Sequence, residues 1–212
     1  MRPIFITGIG TDVGKTVVAA IVAEALEADY WKPVQAGYDD GTDSEWVNRM
    51  LSNEKSNIYP ETYKLKMPAS PHIAAKEEEI TISLENIYKQ YCQLPAANRQ
   101  LVIEGAGGLM VPLNENEFVL DLIKKLKAKV IVVSRNYLGS INHSILTAEV
   151  CKQHYIDVVG WVFNDNYMHY EEQIVSWTGY PKIGSIDYEL EPGKAFIKKN
   201  AEKIRQRLTD LL

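Results

Sequence analysis

Cysteine is scarce in this sequence, and long hydrophobic runs are missing from it. The two cysteines, Cys92 and Cys151, are too few for the disulfide framework of a small extracellular protein. No stretch approaches the ~18 consecutive apolar residues of a membrane-spanning helix. The apolar run at the N-terminus is also too short for a signal peptide. We therefore expect a cytoplasmic protein with reduced thiols and no membrane partner.

An excess of positive charge is also lacking. The chain has 23 Lys and Arg against 28 Asp and Glu, which gives a formal net charge of −5. Such a chain has no global attraction to nucleic acid or to anionic lipid. We expect no nucleic-acid partner, and any phosphate ligand must be held by local groups.

The order of apolar segments predicts the fold. Hydrophobic residues make up 46% of the 212 residues, which suits one α/β domain over residues 1–212. The predicted strands are 4–6, 30–34, 101–104, 130–133, 158–163 and 182–184, with irregular chain at 56–66. The predicted helices are 15–27, 43–51, 83–92, 118–126, 140–154 and a last one that Pro192 can start and that runs to 212. This βαβα order predicts a doubly wound, mostly parallel sheet of the P-loop NTPase type, with ligands beyond the carboxyl ends of the strands.

The segment after the first predicted strand has the composition of a phosphate-binding loop. Gly8 is followed by five residues and then by Gly14-Lys15-Thr16, one residue more than the usual P-loop spacing. Glycines let backbone N–H groups face phosphate oxygens, and the positive end of the next helix favours an anion. The Lys15 ammonium suits the β- and γ-phosphates, and the Thr16 hydroxyl suits Mg²⁺. The loop therefore predicts an enzyme that binds a nucleoside triphosphate with magnesium.

One large P-loop group is disfavoured by a single position. The dimerising partition ATPases carry a second lysine five residues before the P-loop lysine, and Gly10 stands there in this chain.

Two carboxylates and a second lysine follow other predicted strands. Glu104 at the tip of a buried strand needs a cation, either Mg²⁺ or a salt-bridge partner. Asp43 could ligate the same metal, although on its own a helix N-cap is the simpler interpretation. Lys32, inside an apolar strand, indicates an anionic substrate, unless it reaches solvent from an edge strand.

Six motifs occur in a fixed order along nearly the whole chain. They are Gly-x5-Gly-Lys-Thr (8–16), Lys-Pro-Val (32–34), Thr-Asp (42–43), Glu-Gly-Ala-Gly-Gly (104–108), Leu-Gly-Ser-Ile-Asn-His (138–143) and Gly-Trp-Val-Phe-Asn-Asp (160–165). Together they resemble the motifs of the dethiobiotin synthetase family. The resemblance implies an ATP- and Mg²⁺-dependent cyclo-ligase that joins CO₂ to 7,8-diaminopelargonic acid, through a carbamate and a carbamic-phosphoric anhydride, to give dethiobiotin in biotin biosynthesis.

The resemblance also implies a role for individual residues. The catalytic residues are Thr11, Lys15 and Lys32. The nucleotide and its metal are bound by Asp12, Val13, Gly14, Lys15, Thr16, Asp43, Glu104, Gly105, Gly107, Asn164, Asp187 and Tyr188, among which Thr16, Asp43 and Glu104 ligate Mg²⁺. The substrate is bound by Thr11, Lys32, Gly105, Ala106, Gly107 and Gly108, and its tail by Leu138, Gly139 and Asn142 of a partner subunit. A homodimer with the substrate site at its interface is therefore expected.

Departures from the family pattern concern the substrate and the base. Ala36 stands where a serine is usual, Asp187 where a proline is usual, and Asp12 where a longer acidic residue is common. Two other functions compete with the main one. A P-loop ligase for a larger acid would lack the Lys32 and Asn142 constellation, and a nucleotide-switched binding protein would need a mobile partner surface.

Overall fold

The computed structural model describes residues 1–95, 99–165 and 167–212. The strands are β1 (Ile4–Gly8), β2 (Asp29–Trp31), β3 (Val34–Ala36), β4 (Ile58–Tyr59), β5 (Tyr63–Leu65), β6 (Leu101–Gly108), β7 (Lys129–Arg135), β8 (Val158–Asn164) and β9 (Lys182–Ile186). The helices are α1 (Lys15–Leu26), α2 (Asp43–Met50), α3 (Pro71–Glu77), α4 (Leu84–Gln93), α5 (Val119–Leu126), α6 (Ser140–Gln153), α7 (Glu171–Thr178) and α8 (Lys194–Leu211).

Seven of the strands form one parallel sheet in the order β4-β2-β6-β1-β7-β8-β9. Alternate side chains of a strand point to opposite faces. In β1, Ile4 and Ile6 join the core cluster under α1 and α8, whereas Phe5 joins the cluster on the other face. Helices therefore cover both faces, and the predicted doubly wound α/β fold is confirmed.

The single strand predicted over residues 30–34 is wrong. The structure has two strands there, β2 and β3, and they belong to two different sheets. Pro33 has no backbone N–H to donate to a neighbouring strand. The chain leaves the large sheet after Trp31 and pairs again from Val34, in a small parallel sheet with Tyr63–Leu65. The prediction of irregular chain at 56–66 is also wrong. This segment contains β4, which pairs with β2, and β5, which pairs with β3.

Other differences concern where elements end. β6 does not stop at Glu104 but continues through the glycines, and Gly108 lies opposite Gly8 of β1. A Cβ on Gly105 would lie 2.6 Å from the Phe5 ring, so glycine is what lets the strand continue in contact with β1. Neither α3, which Pro71 opens, nor α7 was predicted. The remaining boundaries lie within two residues of the prediction, the usual ambiguity of element ends.

No helix in the described ranges combines the length and apolarity needed to cross a membrane.

The phosphate loop leads into the first residue of helix α1. Glu24 anchors the other end of that helix. The Glu24 carboxylate, 6% exposed, accepts hydrogen bonds from the backbone and side chains of Ser52 and Asn53, just after α2. Burial raises the pKa of this carboxyl, but these hydrogen bonds outweigh burial, and the pKa lies below the usual 4.5.

We predict that Glu24→Gln lowers the free energy of unfolding at pH 7 by about 2 kcal/mol, because buried donors lose a charged acceptor. A carboxyl whose pKa is depressed by folding stabilises the protein above its unfolded pKa and loses that effect as the pH falls through its folded pKa. The difference between wild type and variant should therefore be full above pH 4.5 and shrink below it. Urea unfolding over a pH series measures it, with Glu202→Gln on the exposed face of α8 as control. A difference that is the same at pH 3.5 and pH 7 would contradict the assignment.

Candidate functional site

The phosphate loop connects β1 to α1 and is held in place by Asn164 at the end of β8, two strands away from β1 in the sheet. Gly14 has φ +87°, and a Cβ there would lie 2.2 Å from Asn164 Nδ2. The same amide nitrogen donates a hydrogen bond to the carbonyl oxygen of Val13 at 2.6 Å. Inside the loop, Lys15 Nζ donates to the carbonyl oxygen of Gly10 at 2.8 Å. The lysine therefore lies folded back over its own loop, at the beginning of the helix.

A buried carboxylate lies beside the loop, in the middle of strand β6, which pairs with β1. Glu104 is 1% exposed. Its Oε1 accepts hydrogen bonds from Thr16 Oγ1 and Lys32 Nζ, both at 2.8 Å, and its Oε2 accepts one from the Tyr30 hydroxyl at 2.7 Å. A buried carboxylate is tolerated only when a cation and hydrogen bonds compensate its charge, and this set supplies both.

Lys32 lies at the break between β2 and β3, where the chain leaves the large sheet. Its ammonium is buried, does not reach solvent, and forms ion pairs with both Glu104 and Asp43. Burial acts to lower the pKa of Lys32, but the two carboxylates outweigh burial and raise it above the usual value. Lys32 is therefore charged at neutral pH, and the alternative of a lysine reaching solvent from an edge strand is wrong.

The cap of α2 is Thr42 and not Asp43. The Thr42 hydroxyl accepts from Glu45 N, and the Glu45 carboxylate accepts from Thr42 N, which is a complete capping box. Because Thr42 fills this position, the Asp43 side chain points to Lys32. The helix-cap interpretation of Asp43 is therefore wrong.

Burial and neighbouring charges shift the pKa of two groups near the loop, Lys15 and Tyr30. Burial lowers the pKa of Lys15; Glu104 opposes that shift and Lys32 adds to it. Burial first, and then the charge of Glu104, raises the pKa of Tyr30 well above 10, so this phenol is a permanent donor. The Lys15 ammonium at the N-terminus of α1 makes this corner attractive to a polyanion, whereas the charge of Lys32 is compensated by Glu104 and Asp43.

A cavity of about 880 Å³ joins these groups. Its walls include Thr11, Lys15 and Thr16 on one side and Lys32, Asp43 and Glu104 on the other. A second cavity of about 150 Å³ lies across Gly14, where Asn164 meets Asp187 and Tyr188. The first cavity has room for a triphosphate end and a small substrate, and the second is a shallow slot next to it.

Most of the predicted site residues line one of these two cavities, but some do not. Ala106 and Gly107 are on the wall of the large cavity, whereas Gly105 is packed under Phe5. Leu138, Gly139 and Asn142, at the beginning of α6, are exposed and line neither cavity within the described chain. Within one chain, these three residues are therefore not brought to the site.

The sequence did not single out several residues of the site. Tyr30 was read only as a strand residue, yet it bonds Glu104. Gln35 accepts a hydrogen bond from Asp43 N at 3.2 Å, and its polar side chain directly after the strand predicted at 30–34 was a usable signal. Ser70 and Pro71 line the large cavity, and Ser-Pro before an apolar segment is itself a helix-start signal. Arg135 lines the smaller cavity, and its place just after the strand predicted at 130–133 was a weak signal of that position.

The oxygen atoms of this site suit a magnesium ion. Thr16, Asp43 and Glu104 belong to one hydrogen-bonded network around Lys32, and Mg²⁺ prefers a few protein oxygens together with phosphate oxygens and water. The described residues contain no group of three His, Cys, Asp or Glu that could hold a metal alone. A hydroxyl and two carboxylates beside a phosphate loop therefore fit a metal that arrives with a nucleotide.

Sequence comparisons give a consistent result over almost the whole chain. A family model described as an AAA domain matches residues 2–194. The chain is 47% identical over 208 residues to the ATP-dependent dethiobiotin synthetase BioD of Christiangramia forsetii, covering 98% of each chain. It is 46% identical over 206 residues to the enzyme of the same name from Cytophaga hutchinsonii, covering 96% of this chain and 97% of that one.

Comparisons with solved structures bear on the fold alone. A plasmid partition protein from Borrelia burgdorferi aligns with a TM-score of 0.63 and 12% identity over 100% of both chains. A ParA family ATPase from Chlorobium tepidum aligns with a TM-score of 0.56 and 13% identity over 99% of this chain and 96% of that one. The P-loop NTPase architecture predicted from the sequence is thereby confirmed.

We predict that Gly14→Ala destabilises the folded chain by about 2 kcal/mol, because the new methyl group meets the Asn164 amide at a left-handed backbone position. Gly10→Ala is the matched control in the same loop, since a Cβ there meets no described heavy atom within 4 Å. It should change stability by less than about 0.5 kcal/mol. Urea unfolding without nucleotide measures both variants. Equal stabilities for the two would show that Asn164 does not hold the loop as described.

Proposed function

The chain belongs to the ATP-dependent dethiobiotin synthetase family, and we propose that it closes the cyclic urea of dethiobiotin from CO₂, ATP and 7,8-diaminopelargonic acid. It is an ATP-dependent cyclo-ligase of biotin biosynthesis. The observation that carries the proposal for the site is the single cavity that joins the phosphate loop to Lys32. The γ-phosphate of the nucleotide and the carbamate formed from a substrate amine can meet there.

The nucleotide lies with its triphosphate along the loop in this proposal. The amides of Asp12, Val13 and Gly14 face the phosphate oxygens, and the ammonium of Lys15 leaves the Gly10 carbonyl for the β- and γ-phosphates. The base occupies the small cavity, where Asn164, Asp187 and Tyr188 form its wall. The short distance between the two cavities, which share Asp12, Gly14 and Val17, supports this arrangement.

The metal is held by Thr16, Asp43 and Glu104. When bound, Mg²⁺ neutralises charge that develops on the transferred phosphoryl group. Thr16 bonds Glu104, and Lys32 joins Glu104 to Asp43, which supports a common ligand for the three side chains.

The reaction has three steps. One amine of the substrate attacks CO₂ and loses a proton, which gives a carbamate. A carbamate oxygen then attacks the γ-phosphorus, the bond to the β-phosphate oxygen breaks, and ADP leaves. Finally the second amine attacks the carbon of the mixed anhydride, loses a proton and expels inorganic phosphate as the ring closes. Phosphorylation is needed because the carbamate carbon bears an anionic oxygen and is a poor electrophile.

Charge and position account for the catalytic residues. Lys32, a charged ammonium on the cavity wall, neutralises the carbamate, and Lys15 neutralises the phosphoryl group opposite it. Thr11 and the backbone of residues 105–108 hold the diamine end, with Ala106 and Gly107 nearest on the wall. Catalysis then depends mostly on positioning and on electrostatic stabilisation of the transferred group.

The substrate tail extends to a second subunit in this proposal. Leu138, 87% exposed, together with Gly139 and Asn142 forms a surface that one chain leaves open, and a two-fold dimer would bring it to the partner's cavity. The enzyme works in the cytoplasm, where ATP is available and where its two free cysteines stay reduced.

We expect Lys15 and Lys32 to serve two different functions, which substitution of each lysine distinguishes. Lys15→Ala is expected to lower kcat by about 100-fold or more, because it removes charge stabilisation from the phosphoryl group. Lys32→Ala is expected to keep nucleotide affinity within about threefold while raising KM for the diamine and lowering kcat, since its charge serves the carbamate. Phosphate release with diamine, bicarbonate, ATP and Mg²⁺ measures turnover, and calorimetry measures binding. Lys198→Ala, exposed on α8, is the control. Loss of ATP affinity with intact diamine affinity in Lys32→Ala would overturn this division.

The shared site predicts complementation between two inactive variants. A subunit with Lys15→Ala and a subunit with Asn142→Ala each lack a different part, so their heterodimer retains one complete site. Random mixing should restore about a quarter of wild-type activity at limiting diamine. Lys15→Ala mixed with Lys32→Ala is the control and should restore none, because both residues come from the same subunit's cavity. Activity of the first mixture that stays at the level of the separate variants would refute a site shared between subunits.

A further inference from the structure

The two oxygens of the Glu104 carboxylate lie in different surroundings. Oε1 faces the cavity groups and accepts from Thr16 and Lys32, both at 2.8 Å. Oε2 faces the protein interior and accepts from the Tyr30 hydroxyl at 2.7 Å. Oε1 thus faces the cavity, where a bound metal would replace one of its two present donors, whereas Oε2 is held by a side chain that does not line the cavity.

Tyr30 is fixed in place by the sheet on which it lies. It is fully buried, and β2 is hydrogen-bonded on one side to β4 and on the other to β6. Tyr30 lies opposite Val102, and Glu104 is two residues further along the same strand, on the same face. Both Tyr30 and Val102 belong to the core cluster that packs under α1. The phenol therefore lies along the face of the sheet that packs under α1. Its hydroxyl reaches Oε2 from that face and has little freedom to move away.

We propose that Tyr30 is a positioning residue that makes Glu104 a one-oxygen metal ligand and thereby favours Mg²⁺ over Ca²⁺. This inference rests on the proposed metal ligands Thr16, Asp43 and Glu104. It assigns to Tyr30 a task that the phosphate loop and the two lysines do not perform.

The coordination chemistry of the two ions gives the reason. Mg²⁺ needs near-octahedral geometry and is usually bound through single carboxylate oxygens, whereas Ca²⁺ takes six to eight oxygens and readily uses both oxygens of one carboxylate. A carboxylate whose Oε2 is held by a buried hydroxyl cannot turn both oxygens to one ion. Removal of that hydroxyl frees Glu104 to rotate and to bind the larger ion with both oxygens.

The chain offers a matched control on the neighbouring strand. Tyr59 of β4 also donates its hydroxyl to a buried carboxylate, Asp29 Oδ2, at 2.8 Å. Asp29 is fully buried, and neither residue lines the large cavity. Tyr59→Phe therefore removes the same kind of hydrogen bond, at a site away from the metal ligands.

The experiment measures the ratio of two dissociation constants, without turnover. Calorimetry gives the Kd of the Ca²⁺ complex and that of the Mg²⁺ complex of a non-hydrolysable ATP analogue, for wild type, Tyr30→Phe and Tyr59→Phe. In Tyr30→Phe the Kd ratio of Ca²⁺ to Mg²⁺ should fall by about tenfold, the usual scale for loss of a group that orients a metal ligand. In Tyr59→Phe it should stay within about twofold of wild type. An unchanged ratio in Tyr30→Phe, or an equal fall in both variants, would overturn the proposal.

Two further variants complete the test. Glu104→Gln should abolish most of the gain in affinity that Mg²⁺ gives to the nucleotide. If that gain persists, the metal assignment itself is wrong and the role of Tyr30 falls with it; if it is lost while Tyr30→Phe leaves the ratio unchanged, only the role of Tyr30 is wrong. Tyr30→Met, which also lacks the hydroxyl, must lower the ratio as Tyr30→Phe does, and it supplies the result if the phenylalanine variant folds poorly.

Discussion

The buried carboxylate of Glu104 is the interaction on which the rest of the site depends. It connects strand β6 to three earlier parts of the chain: the first turn of α1 through Thr16, the strand β2 through Tyr30, and the break after β2 through Lys32. A charge with 1% exposure persists only while such partners surround it. The carboxylate therefore fixes the distance between the phosphate loop and Lys32.

The break at Lys32-Pro33 is what makes this arrangement possible. A lysine inside a continuous strand of the large sheet would point either into the core or across to α1. Because Pro33 ends the pairing, the chain turns into the small sheet of β3 and β5, and the ammonium is directed to Glu104 and Asp43. The same turn brings Gln35 to the backbone of Asp43 and so places the beginning of α2 against the cavity. A local backbone restriction thus positions the Lys32 ammonium.

Much of this could be predicted from the sequence, for physical reasons that also explain the errors. Buried parallel strands such as β7 are continuous apolar runs, so the fold class could be predicted. The spacing of Gly8–Thr16 is typical of a phosphate-binding loop, so this part of the site could be predicted as well. The split of β2 from β3 was missed, because the partner strands β4 and β5 are two and three residues long and have no periodicity of their own. The extension of β6 was missed because glycines normally indicate a loop, whereas Gly105 and Gly108 are there to contact β1. Tyr30 could not be recognised, because only the register between β2 and β6 brings its hydroxyl to Glu104.

The most direct test of the account is a crystal structure with a non-hydrolysable ATP analogue, Mg²⁺ and the diamine bound together. The account predicts the triphosphate on the amides of residues 12–16 and the metal on Thr16, Asp43 and one oxygen of Glu104. It also predicts the diamine in the same cavity, with an amine near Lys32. A nucleotide bound away from the N-terminus of α1, or a metal without contact to Glu104, would contradict it.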